Sequence, residues 1–155
     1  PLDAAIHFGD PVWPGAIMHR LMGETIVPVA SPALIKRLTI KGPADLLRAP
    51  LLKQATRPHA WSEWLTAQGL DPKDSVPGPS FEQFAMVAQA AIAGLGAAIV
   101  PRFLVEDEIS SGALVIPINR PIESKQAYWL VYPEDKKDRP AVNAFRSWLL
   151  DQCRL

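Results

Sequence analysis

The sequence predicts an α/β fold with a mostly parallel sheet, on three observations. Stretches of helical period alternate with short apolar or β-branched stretches along the 155 residues, the order that builds helix-covered sheets. The run from Pro79 to Pro101 holds a helix, its stop and a buried strand in one piece. The segment Gln126 to Tyr132, Q-A-Y-W-L-V-Y, is rich in aromatic and β-branched residues and is the strongest strand signal in the chain.

The Pro79 to Pro101 run organises the rest. Ser80 is placed to cap a helix, and Gln83 three residues on completes an S-x-x-Q capping box. From Phe81 to Ala93 the apolar residues Phe84, Val87, Ala88, Ala91 and Ile92 recur three and four apart, the period of an amphipathic helix. Gly94 stops it, and Ala97 to Val100, closed by Pro101, form a strand short and apolar enough to be covered on both faces. Ligands of α/β sheets sit at helix N-termini and strand C-termini, so Ser80, Phe81 and Pro101 are binding candidates. The plain alternative is a packed helix and strand with a well-made cap.

In chain order, Leu2 to Gly9 predicts a strand, with Asp10-Pro11 and Trp13-Pro14-Gly15 in the loop after it. Ile17 to Leu21 reads as a short strand and Glu24 to Ala30 as another, with Pro28 arguing for an edge or an unpaired crossing. Ser31-Pro32 starts a helix through Arg37, serine as N-cap and proline at the first helical position. Gly42 to Leu47 starts another short helix, and Leu51-Leu52 is a short strand. Trp61 to Gln68 is helical, with Trp61, Trp64 and Leu65 on one face and Gly69 as its stop. Asp71 to Pro79, carrying three prolines and a glycine, reads as a loop. Arg102 to Gly112 predicts a helix, Ala113 to Ile118 a strand, and Asn119 to Lys125 a turn. Asp138 to Leu150 closes the chain as a helix with Val142, Phe145, Trp148 and Leu149 on its apolar face. Two proline-marked strands, at 27–31 and 126–133, are candidates for a pair of crossings between two lobes.

A hydrophobic content of 48% supports a real core. Sixteen basic and sixteen acidic residues cancel, which excludes an electrostatic footprint for nucleic acid or an acidic membrane on this segment. The one cysteine, Cys153, has no partner for an internal disulfide and fits a reducing compartment. There is no run of eighteen apolar residues and no charged-then-apolar leader. The chain begins at Pro1 and enters a strand within a few residues, which predicts a fragment or processed chain whose first elements are missing.

No catalytic constellation emerges. Neither Ser31 nor Ser80 sits in G-x-S-x-G, and His7, His19 and His59 lack an H-E-x-x-H or C-x-x-C partner, so no metal or cofactor is signalled. His7 alternates with Ile6 and Phe8 and reads as a polar-face or core-edge residue. Gly94-Leu95-Gly96 follows a helix and precedes a strand, the reverse of a dinucleotide loop. The helical spacing of Trp61 and Trp64 beside Leu65 favours core over stacking on a ligand. Asp3, His7 and Asp10 are the only acid–base candidates, and aspartates around a strand more often cap turns.

The stretches D-A-A-I-H-F-G-D at 3–10, W-P-G at 13–15, V-P-V-A-S-P-A-L at 27–34, P-A-D-L-L at 43–47 and W-S-E-W-L at 61–65 are followed by F-x(5)-V-A-Q-A-A-I-A-G-L-G-A-A-I-V-P from Phe81. G-A-L-V-I-P at 112–117, Y-W-L-V-Y-P at 128–133 and A-F-R-S-W-L at 144–149 complete the set. In order and spacing, over essentially the whole chain, they resemble the effector-binding domain of LysR-type transcriptional regulators, in the branch typified by the glycine-cleavage activator and the β-lactamase regulator.

The resemblance implies a two-lobed fold like a type II periplasmic binding protein, with mostly parallel sheets joined by two crossing strands. Residues 1–26 and 121–155 would form lobe I, incomplete here, and residues 27–120 lobe II. A small effector would sit between the lobes. It would meet Phe8, Gly9 and Asp10 from lobe I and Ala30 and Ser31 at the hinge. Ser80, Phe81 and Gln83 at a helix N-terminus, with Val100 and Pro101 at a strand end, would meet it from lobe II. Helix N-termini favour anions, so an organic acid, amino acid or peptide-like effector is expected. By the same resemblance the chain is not an enzyme and takes no cofactor. DNA would be reached only through the family's N-terminal helix-turn-helix, absent from this chain. The full-length protein would be a cytoplasmic homo-oligomer with no membrane partner. The rival readings are a periplasmic solute-binding protein for transport and an enzyme on the same scaffold.

Overall fold

A computed structural model describes residues 2–154, so Pro1 and Leu155, assigned above to lobe I, lie outside the described residues. Strands and helices alternate as β1 (Ala5–Gly9), β2 (Ala16–Val29), α1 (Pro32–Leu38), β3 (Pro50–Gln54), α2 (Ala60–Ala67), β4 (Val76–Phe81) and α3 (Phe84–Ile92). They continue as β5 (Ala97–Pro101), α4 (Glu106–Ser110), β6 (Ile122–Pro133) and α5 (Pro140–Gln152), with 3-10 turns between. The chain forms two compact units: unit 1 is Pro1–Glu24 with Glu123–Leu155, and unit 2 is Thr25–Ile122. Strand β2 runs from unit 1 into unit 2, and β6 leads back.

In unit 2 the strand order is β2-β5-β3-β4. Strand β5 runs antiparallel to β2 and parallel to β3, and β3 runs parallel to β4. All five residues of β5 are buried, as its apolar run requires. Alternation along the strands divides two cores. Ile26, Leu51 and Ile99 face one layer, with Leu34, Leu46, Trp61, Trp64 and Leu65. Val27, Leu52, Ala98 and Val100 face the other, with Val87, Ala88 and Ala91 of α3. Trp61 and Trp64 pack edge to face at 6.0 Å. Their indole nitrogens donate to the carbonyls of Leu52 (2.9 Å) and Arg120 (2.7 Å), so both are core residues with satisfied polar ends. Ser31 accepts from the Leu34 N–H at 3.2 Å and starts α1 as its N-cap, with Pro32 behind it.

Helix α3 ends as its sequence predicts. Gly94 has φ +77°, its N–H bonds to the Ala91 carbonyl, and the Leu95 N–H reaches back to Ala90, a Schellman closure. Gly96 is needed for a second reason: a Cβ there would collide with the Pro50 carbonyl oxygen where β5 enters beside β3.

In unit 1 the order is β1-β6-β2, with β1 antiparallel to β6 from Ala5 opposite Val131 to Gly9 opposite Ala127. Leu21, Leu130, Tyr132 and Val142 form its core, with Leu149, Leu150 and Cys153 of the α5 end against it.

Several expectations need correction. The pairing is mixed: β3 runs parallel to β4 and to β5, whereas β1 with β6 and β2 with β5 are antiparallel. The segment 71–79 is not all loop, because β4 begins at Val76. Its prolines, 77 and 79, are tolerated on an outermost strand. Ser80 belongs to that strand, opposite Lys53, and does not cap a helix. Helix α3 starts three residues later than expected, at Phe84, with Gln83 as an N-cap that makes no side-chain bond. The predicted strand at 113–118 reduces to a single bridge between Val115 and Ala30. Ile17–Leu21 and Glu24–Ala30 lie on one continuous strand, β2. Pro28 stands opposite Ile99 on that strand, at the outer margin of unit 2's sheet. Of the expected apolar face of α5, Val142 is buried but Phe145 and Trp148 are exposed.

Candidate functional site

The parallel strands of unit 2 bring one group of the expected residues to a common edge. Gln54 at the end of β3 pairs with Phe81 at the end of β4, and the β3–β5 register, Leu51 with Ala97 and Leu52 with Ala98, carries Val100 and Pro101 to the same end. The Ala55 N–H donates to the Phe81 carbonyl at 2.8 Å, and α3 starts three residues beyond Phe81. Ser80 and Gln83 are exposed, Phe81 is half-buried, and Val100 and Pro101 are buried. Carboxyl ends of parallel strands next to a helix start are where α/β proteins hold ligands.

Ala30 and Ser31 do not join this group. Strand β2 is antiparallel to β5, with Ile26 opposite Pro101 and Val29 opposite Ala98. The end of β2 is therefore at the opposite edge of the sheet, about 13 Å away over four steps of strand rise. Both residues are buried there, and the Ser31 hydroxyl is engaged as the cap of α1. The change of unit along β2 comes earlier, between Glu24 and Thr25.

In unit 1, Phe8 lies opposite Tyr128 in the β1–β6 ladder, with rings 4.8 Å apart. The Gly9 carbonyl accepts from the Trp129 indole at 3.0 Å, and Asp10 is exposed just beyond the strand. The Tyr128 hydroxyl donates to Glu24 Oε2 at 2.6 Å, a carboxylate only 2% exposed.

Sequence reasoning missed two polar groups near these residues. One is Glu24 with Tyr128. The other is the Gln54, Thr56 and Arg57 set after β3, where the apolar Leu51-Leu52 run turns abruptly polar as K-Q-A-T-R. That change of character was the available signal.

Two of the acid–base candidates, Asp3 and His7, are otherwise engaged. Asp3 accepts from Lys136 at 2.9 Å and from Arg139 at 2.8 Å, and the Lys136 hydrogen bond, then its charge, lowers the Asp3 pKa. His7 packs edge-on against Trp13 at 4.8 Å. Among the described residues no three His, Cys, Asp or Glu side chains cluster as a metal site, and no helix is long and apolar enough to cross a membrane. An apolar cavity of about 260 Å³ in unit 1, between Leu2, Trp13 and Tyr132, is lined by none of the candidate residues.

Comparison with known proteins agrees with this architecture. The profile of the LysR substrate binding domain matches residues 1–154. The glycine cleavage system transcriptional activator of Escherichia coli K12 is 37% identical over 150 residues, covering 96% of this chain and 49% of that protein. The HTH-type transcriptional regulator TrpI of Pseudomonas aeruginosa is 37% identical over 154 residues, covering 97% of this chain and 52% of that protein. The chain thus spans about half the length of the curated relatives it matches. Among solved structures, the AmpR effector binding domain of Citrobacter freundii superposes with a TM-score of 0.85 at 29% identity, over 98% of this chain and 74% of that one. The effector domain of AmpR from Pseudomonas aeruginosa gives 0.86 at 28% identity, over 98% and 72%. These relatives are transcriptional regulators, and their effector domains have the type II periplasmic-binding-protein-like fold. This chain belongs to the LysR substrate-binding domain family.

Proposed function

We propose that this chain is the effector-sensing part of a LysR-type transcriptional regulator, with units 1 and 2 as its two lobes and no catalytic role. The observation that carries the reading is the convergence of Ser80, Phe81, Gln83, Val100 and Pro101 on the carboxyl edge of unit 2's parallel strands, beside the uncapped start of α3. Phe8, Gly9 and Asp10 of unit 1 are a second proposed contact set, carried by the family resemblance alone. The effector is a small organic acid, amino acid or peptide-like molecule, because backbone N–H groups at the first turn of α3 favour negative charge. Its binding biases a conformational equilibrium that is passed to a DNA-binding helix-turn-helix in a longer, cytoplasmic, homo-oligomeric protein. A transport receptor is not favoured, since the relatives are regulators.

The test is a thermal-shift screen of the complete reading-frame product against amino acids, mono- and dicarboxylates and short peptides, followed by calorimetry on the best compound. The double variant Ser80→Ala, Phe81→Ala is expected to bind about tenfold or more weakly with an unchanged circular dichroism spectrum, from loss of apolar cover and one polar contact. Unchanged affinity would remove these residues from the site. A screen in which nothing raises the melting temperature would count against sensing itself.

A further inference from the structure

The buried amide of Gln54 ties together the turns that lead into two helices of unit 2, one in each of its core layers. Gln54 ends β3 and is only 5% exposed. Its Nε2 donates to the Glu82 carbonyl at 2.8 Å, in the turn between β4 and α3. Its Oε1 accepts from the Thr56 N–H at 2.6 Å and from the Thr56 hydroxyl at 2.5 Å, in the turn that leads to α2. Helix α2 packs in one layer through Trp61, Trp64 and Leu65, and α3 in the other through Val87, Ala88 and Ala91.

The two ends of this bridge are not equally secure. On the α2 side the backbone closes on itself, with the Arg57 N–H on the Gln54 carbonyl at 2.9 Å and the Ala60 N–H on the Arg57 carbonyl at 3.2 Å. The Trp61 indole also reaches back to the Leu52 carbonyl of β3. On the α3 side the chain leaves an outermost strand that carries Pro77 and Pro79, and it enters a helix whose N-cap, Gln83, makes no side-chain bond. A buried amide with both its ends partnered has one favoured geometry, so it is the looser side that it fixes. The Glu82 carbonyl and the Gln83 N–H belong to one planar trans peptide. Holding that carbonyl toward Gln54 turns the Gln83 N–H away from it, and sets the direction in which the chain departs from Phe81.

We propose that Gln54 is a positioning residue of the effector site: without touching the effector, it acts through the Glu82 carbonyl to hold Phe81 and Gln83 in the arrangement that binds. The proposal rests on the sensing function above and adds to it the residue that keeps this part of the site preformed, so that less order has to be gained on binding.

The experiment compares Gln54→Met, which roughly keeps the buried volume and removes both halves of the bridge, with Thr56→Val, which loses only the hydroxyl bond on the α2 side. Amide hydrogen exchange of the complete reading-frame product is read first, with no compound added. The Met86 and Val87 N–H groups, bonded to the Gln83 carbonyl at 3.1 and 3.2 Å, should exchange about tenfold faster in Gln54→Met and at the wild-type rate in Thr56→Val. Calorimetry then uses the member of the amino-acid and carboxylate panel that gives the wild type its largest thermal shift. Its affinity should fall about tenfold in Gln54→Met, the order of one hydrogen bond, and stay within about twofold of wild type in Thr56→Val. Unchanged affinity in Gln54→Met, or an equal loss in Thr56→Val, would overturn the positioning role. If Gln54→Met does not fold, Gln54→Glu takes its place in the exchange measurement, because a carboxylate still accepts from Thr56 but cannot donate to Glu82. Wild-type rates at Met86 and Val87 in that variant would overturn the role equally. A wild type shifted by no member of the panel would defeat the sensing function, and this role with it, whatever the exchange rates.

Discussion

His19 of unit 1 shows how one side chain ties stability to pH. Its Nε2 bonds the Tyr132 hydroxyl at 2.8 Å, the rings stack at 5.6 Å, and Arg146 donates to the same hydroxyl at 3.2 Å. Burial first, and the Arg146 charge second, push the His19 pKa below the ordinary 6.5. The folded chain therefore binds fewer protons here than the unfolded chain between that lowered value and 6.5. Stability from this site is complete above 6.5 and is lost as pH falls below it. The melting temperature should drop between pH 7.5 and 5.5, and His19→Gln should flatten that slope. Identical slopes would remove His19 as a cause. Trp64 makes a different residue-scale case, since it is fully buried with its indole bound to the Arg120 carbonyl. Trp64→Ala should cost about 3–5 kcal/mol in chemical denaturation, the range for emptying a large aromatic site. A loss under 1 kcal/mol would mean the two-layer core of unit 2 collapses around the gap.

At the scale of elements, the sequence was legible wherever the cause is local. The stripe of Val87, Ala88 and Ala91, the Gly94 stop and the all-apolar β5 follow from neighbours a few residues apart, and the structure has all of them. The start of α3 was misread because β4 is defined by a partner 27 residues away, with Phe81 beside Gln54, and no local period marks a strand spelled V-P-G-P-S-F. Gly78 makes that pairing feasible, since a Cβ there would come within 2.5 Å of the Leu51 carbonyl oxygen. The same physics limited the site. Phe81 and Pro101 follow from the strand-end rule and lie on one strand edge with Val100, whereas the antiparallel sense of β2 against β5, which carries Ala30 and Ser31 to the other edge, leaves no trace in either strand. The Gln54, Thr56 and Arg57 chain depends on that long-range register too. Two substitutions separate the cap assignments. Ser80→Ala should change stability by less than about 0.5 kcal/mol, as for an ordinary exposed residue, whereas removal of a true N-cap serine costs about 1 kcal/mol. Gln83→Ser should add about 0.5–1 kcal/mol by supplying the side-chain oxygen that α3 lacks. The reverse pattern in urea denaturation would return the cap to Ser80.

On the scale of the whole molecule, charge and apolar exposure act together. The chain carries formal net charge zero and an isoelectric point near 7.4, so long-range repulsion between copies is weakest close to neutral pH. Unit 1 meanwhile presents Ile6 on its outermost strand β1 at 56% exposure and, on α5, Phe145 at 40% and Trp148 at 57%, their rings stacked at 6.0 Å. A cavity of about 260 Å³ lined by Asp3, Ala4, Ala141, Val142 and Phe145 links the start of the chain to that helix. An unpaired strand edge beside exposed aromatic surface is a template for association. The 155-residue chain on its own should therefore self-associate near pH 7.4, with a sedimentation coefficient that rises with concentration. Added salt should not reverse this, because apolar contacts are not screened as ion pairs are. Phe145→Glu with Trp148→Glu replaces two exposed aromatic rings by charges on the same helix, so the core residue Val142 is untouched and the net charge becomes −2 by arithmetic from zero. That variant should sediment as a monomer at concentrations where the parent chain does not. A parent chain that is monomeric at its isoelectric point would show that this surface is too small or too interrupted to hold a second copy.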